Sequence, residues 1–226
     1  MRDCIHYVFL LFVLLLACQD TSENSRKSSL TAIDYKSIGE QIPMDDAMRW
    51  LALYKSKNNI LAREGNLFSV SKSAMNIVLQ SIPEAMGMVF HYGIDEDGES
   101  HIILIPIDDK LSLWSDISGR KYLDANTGTA IDQSDAQIWA QNYKHANPGT
   151  VWFHFFGIHV FDEINAIPYF TSLDIAPAIN DIDLTPQILL FVWNYSQSSG
   201  GKTSSSEEEG VAFDKSNPCP PCAIDN

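Results

Sequence analysis

Basic residues are scarce in this chain. Its 226 residues carry 15 Lys and Arg against 29 Asp and Glu, a formal charge of −14. Such a surface repels nucleic acid and anionic membrane surfaces, so no nucleic-acid partner is expected. Acidity alone names no partner. The familiar catalytic signatures are missing as well: there is no G-x-S-x-G, no H-E-x-x-H and no lone cysteine with a plausible histidine partner. Nucleophilic catalysis therefore has no support in the sequence, and neither a cofactor nor a metal site is expected. No apolar run is long enough to cross a bilayer. The longest, at residues 8–17, suits the core of an export signal.

What is there begins with that run. Arg2 precedes it, and it ends in Leu15-Leu16-Ala17-Cys18, which resembles the lipobox of bacterial lipoproteins. The resemblance implies a signal peptide at 1–17 and a diacylated Cys18 as the first mature residue. It also implies a lipid-anchored protein of the cell envelope, on the outer membrane if the source is Gram-negative. Residues 18–42 read as a polar tether and lead-in. Cys4 leaves with the signal and Cys18 takes lipid, so Cys219 and Cys222 remain as a candidate disulfide in an oxidising compartment.

The pattern Asp-Ala-x-x-Trp-x-x-x-Tyr-Lys-x-x-Asn occurs twice, from Asp46 to Asn58 and from Asp135 to Asn147. Repetition at this length predicts an internal duplication. In each copy Ala, Trp and Tyr fall at i, i+3 and i+7, which places them on one helix face. That face is expected to pack into a core, with Trp50, Trp139, Tyr54 and Tyr143 largely buried. Helix, short strand, second helix and β-hairpin are predicted in the same order in both copies. The first hairpin turns at Asp97-Gly98. Repeat units are expected at 43–108 and 133–195, joined by a connector at 109–132 with little periodicity. From Ser196 the composition shifts to Ser, Gly and Glu. Residues 196–226 therefore read as a linker or free tail, dispensable for folding.

Together these features resemble a group of small uncharacterised bacterial proteins with a C-terminal Cys-Pro-Pro-Cys-like tail. The resemblance implies a coherent fold and brings no activity with it. The predicted fold class is α+β, two tandem copies of a helix-strand-helix-hairpin unit packed in pseudo-two-fold fashion into one body.

Four local patterns bear on chemistry. Cys219 and Cys222 have the spacing of a redox or metal pair but follow a polar linker rather than a strand, which favours a local disulfide. The run Gly200-Gly201-Lys202-Thr203 lacks the first glycine of a phosphate loop, since residue 196 is Ser. The acidic stretch at 95–99 lacks the ligand spacing of a calcium loop and reads as a solvated turn. His91, His101, His154 and His159 form no strong metal spacing. The expectation is a non-enzymatic binding or interaction module at the envelope, held to the membrane by its lipid, with a protein or glycan partner left open. The alternative is an envelope enzyme, redox through Cys219 and Cys222 or hydrolytic. A concave pocket with polar groups converging from both repeats favours an enzyme, and a flat apolar patch favours an interaction module.

Overall fold

The computed structural model describes residues 33–58, 68–194, 210–219 and Ile224. The lipobox with Cys18, the residues 200–203 and Cys222 lie outside them. After a 3-10 turn at Tyr35–Ser37 come strand β1 (Glu40–Ile42), helix α1 (Met44–Lys57), strand β2 (Phe68–Ser71) and helix α2 (Lys72–Leu79). The chain continues through strands β3 (Gly87–Ile94), β4 (Ser100–Ile107), β5 (Tyr122–Asp124) and β6 (Thr129–Ile131). Helix α3 (Gln133–Ala146), strand β7 (Phe153–Gly157) and helix α4 (Ile158–Ala166) follow. Strands β8 (Ser172–Ile179), β9 (Pro186–Trp193), β10 (Gly210–Asp214) and β11 (Asn217–Cys219) complete the described chain.

Local chemistry accounts for many of these boundaries. Ser71 caps α2 by accepting the Ala74 N–H at 3.1 Å. Asp45 and Asp46 sit in the first turn of α1, where they complement the helix dipole. In the β3–β4 hairpin Asp95 Oδ1 accepts the N–H groups of Asp97 and Glu99, and Gly98 supplies the left-handed turn at φ 86°.

All described strand pairs are antiparallel, in two sheets. One has the order β1-β10-β9-β8-β2, the other β11-β7-β3-β4-β5-β6. The protein is thus a mixed α+β fold. The element order in 40–124 recurs in 129–214: strand, helix, strand, helix, then three strands. The halves are interlaced. Strand β2 of the first half pairs with β8 of the second, and β7 of the second pairs with β3 of the first. Helices follow the same exchange, α1 packing on β8 and α3 on β3. Where β3 crosses to β7, Gly87 stands opposite Gly157. A Cβ at Gly157 would run into the carbonyls of Tyr35 and Lys36, so both the exchange and the lead-in depend on this close approach.

The core divides by the two-residue period of the strands. Phe90, Ile102 and Leu104 of one sheet meet Ile175, Ile188 and Leu190 of the other, together with Met75 and Val78 of α2 and Phe161 and Ile164 of α4. The intervening residues face outward. Leu189 and Phe191 pack under α1 with Trp50, while Ile103 and Ile105 pack beside Ala136 of α3. Both faces of each sheet are covered, which is why β9 reads as a continuous apolar run rather than an alternation.

Three expectations need correction. The tail from Ser196 is not free throughout: β10 lies between β1 and β9, and Phe213 is 1% exposed. Its five residues gain apolar burial and two ladders of backbone bonds, which composition alone does not register. The connector 109–132 contributes β5 and β6 for the same reason. Trp50 is buried as expected, whereas Trp139, Tyr54 and Tyr143 are only half-buried, the two tyrosines because the helix ends that carry them border a cleft.

Candidate functional site: a cleft between the two helix ends

The repeated motif places Trp one turn ahead of Tyr, and Asn one further turn on, at the helix end. Trp50 therefore anchors α1 to the sheet below, its Nε1–H also donating to Asp181 Oδ1 at 2.7 Å. Tyr54 and Asn58 then emerge at the C-terminus of α1, and Tyr143 and Asn147 at that of α3. The two asparagines cap their helices identically. Asn58 Nδ2 donates to the Tyr54 carbonyl at 2.9 Å, and Asn147 Nδ2 to the Tyr143 carbonyl at 3.1 Å. In each case the same carbonyl also accepts the asparagine's own backbone N–H, at 3.1 and 2.9 Å, so the side chain adds a second bond that closes the helix end.

These four side chains share a cleft of about 420 Å³. Tyr92 and Gly93 of β3, Ser100 to Ile102 of β4, Pro177 to Ile179 of β8, and Phe68 contribute most of the rest of its wall. The Tyr92 and Tyr143 rings stack with centroids 5.1 Å apart. Burial pushes the Tyr92 hydroxyl well above its ordinary pKa, with Tyr143, Tyr54 and Asp214 adding to the effect. Tyr54 and Tyr143 are raised in the same way, burial first. These hydroxyls stay protonated and can each donate and accept a hydrogen bond. At Gly93 an added Cβ would come within 3.1 Å of Trp139 Cβ, so α3 lies directly on the strand here.

His101 stands at the edge of the cleft, and its ring is fully engaged. Nδ1 lies 3.0 Å from Asp124 Oδ1, Nε2 lies 3.2 Å from Asp95 Oδ2, and Trp139 stacks on the ring at 4.3 Å. Asp95 is held below the usual carboxylate range, first by the Glu99 N–H and then by His101. With a carboxylate at each nitrogen, His101 has no lone pair turned to the cleft, so it orders the β3–β4 turn rather than offering a base.

The other sequence candidates lie elsewhere. His91 and His154 are buried on opposite faces of the second sheet, and burial pushes both down to about 3. His91 Nδ1–H donates to the Tyr92 carbonyl, and His154 Nδ1 meets Ser216 Oγ at 2.8 Å. His159 ties the lead-in to α4 through the carbonyls of Lys36 and Gly39. Cys219 is disulfide-bonded and 3% exposed. The Asp95 carboxylate is spent on its own turn and on His101. No group of three His, Cys, Asp or Glu suited to a metal occurs among the described residues, and no described helix is long and apolar enough to cross a membrane.

Sequence reasoning singled out the Trp-Tyr stripe as core and so missed the cleft, along with Tyr92 and Asp124. One signal pointed to it. A purely packing face needs apolar bulk at the Tyr position and nothing at the Asn position, yet the motif repeats both. Compared with protein families, curated proteins and solved structures, the chain matches none.

Proposed function

We propose that this protein is an exported, lipid-anchored binding module whose ligand occupies the cleft between the ends of α1 and α3. The halves are read as a tandem duplication, supported by the shared element order and by the recurrence of Trp, Tyr and Asn at equivalent helix positions. The observation that carries the reading is the convergence of Tyr54, Asn58, Tyr143 and Asn147 on one concave site. A concave site with polar groups from both halves also suits an enzyme. The polar groups here, however, are hydroxyls and amides, and the one histidine is spent on two carboxylates, so the chemistry offered is recognition.

Native mass spectrometry of the mature protein, purified from its own envelope, tests the reading. A small molecule retained by the wild type and lost from a folded Tyr54→Ala/Tyr143→Ala variant is the expected result. A wild type that retains nothing, and whose melting midpoint no fraction of the envelope extract raises, would overturn it.

A further inference from the structure

The described lining of the cleft is polar, and its side-chain chemistry narrows the ligand. Its described lining contains no Asp, Glu, Lys or Arg. Both ring nitrogens of its one histidine are taken by Asp95 and Asp124, so that histidine offers a ligand no charge-assisted bond. An ionic ligand entering here would shed its water with no Asp, Glu, Lys or Arg of the described lining to pair with it, which is unfavourable. The chain's charge of −14 works against anions at longer range as well.

The hydrogen-bonding inventory is specific. Asn58 and Asn147 each commit one Nδ2 hydrogen to a helix carbonyl, which leaves the second Nδ2–H as a donor and Oδ1 as an acceptor. The Tyr54 and Tyr92 hydroxyls have no hydrogen-bond partner among the described residues, and each can both give and take a bond. A group that matches this set must itself donate and accept, as an alcohol does. Beside these polar groups stand Phe68, Ile102, Ile179 and Pro177, an apolar wall suited to the C–H face of a ring. The volume of about 420 Å³ falls in the range of small-molecule sites and has room for about one or two sugar rings.

Resting on the cleft as the binding site, we propose that its ligand is an uncharged polyhydroxylated molecule, a neutral saccharide. Recognition divides between the tyrosine hydroxyls and asparagine carbonyls, which read the sugar hydroxyls, and the apolar wall, which covers a ring face.

Calorimetric titration of the mature protein tests this with three matched sets of probes. These are neutral disaccharides of glucose and of N-acetylglucosamine, the corresponding uronic acids, and the corresponding free amino sugars. At least one neutral disaccharide is expected to bind, with both charged counterparts weaker by tenfold or more. Tyr54→Phe/Tyr92→Phe keeps the rings and removes the hydroxyls. It should weaken the neutral sugar by tenfold or more while its melting midpoint stays within a few degrees of wild type. A charged counterpart that binds equally well, a double variant of unchanged affinity, or no neutral saccharide bound at millimolar concentration would overturn the proposal. If native mass spectrometry finds a ligand in the cleft that bears no hydroxyls, the saccharide assignment falls and the cleft remains the site. If the cleft holds nothing, both fall.

Discussion

Asp214 should make this protein less stable as pH rises from about 4 to 6. It ends β10 at 1% exposure, and burial pushes its carboxyl up to about 6, against the hydrogen bonds it accepts from the Lys215 and Ser216 N–H groups. Its Oδ1 has no partner among the described residues. The ordinary value is 3.8, and a gap of about two pH units corresponds to ~3 kcal/mol at about 1.36 kcal/mol per unit. Below about pH 4 folded and unfolded chains are both protonated, and the group contributes nothing. Between about 4 and 6 the folded chain keeps a proton that the unfolded chain has lost, so stability falls as pH rises. Above about 6 both are ionised and the deficit is constant. Asp214→Asn keeps an acceptor for the two backbone donors and cannot ionise. The stability difference between variant and wild type, from urea unfolding at successive pH values, should therefore shift toward the variant by up to ~3 kcal/mol between pH 4 and 7. A constant offset from repacking the amide would move the whole curve and leave its slope. A pH-independent difference across that window would refute the reasoning.

Three further outcomes follow from the same structure. Phe213→Ala should cost about 3 to 5 kcal/mol in chemical denaturation, and a chain stopped after Tyr195 should fail to give a cooperative melt, because β1 and β9 would lose the strand between them. His91 and His154 are held neutral down to about pH 3, so between about 6.5 and 3 the unfolded chain takes up protons that the folded one refuses, and stability falls on acidification; His91→Phe/His154→Phe should flatten that limb, measured as unfolding free energy at pH 4 against pH 7. Mass spectrometry of membrane-extracted protein should find a mature chain that begins at an acylated Cys18, and a Cys18→Ala variant should leave the membrane fraction, its retention there counting against the anchor.

Much of the architecture was legible along the chain because it depends on neighbours a few residues apart. The Ser71 cap, the acidic first turn of α1, the Asn stops at 58 and 147 and the Asp97-Gly98 turn all act within one or two turns of backbone, and the helices and first hairpin follow from them. The exchange of β2 and β7 between halves was not legible. Val70 pairs with Leu173 and Phe156 with Met88, and pairings so distant in sequence leave no periodicity to read. Strand β10 was hidden by its setting, five residues after a polar stretch, since its stability comes from Gln41 and Leu190 on either side rather than from its own composition. The cleft belongs to the same class. Periodicity correctly put Trp and Tyr on one helix face, but whether that face meets a sheet or an opening depends on where the sheet stops. Trp50 lies over strands of the other half, while Tyr54, one turn on, lies at the opening where α1 and α3 end together. Sequence determined the face, and only the tertiary structure decided which half of it would be covered.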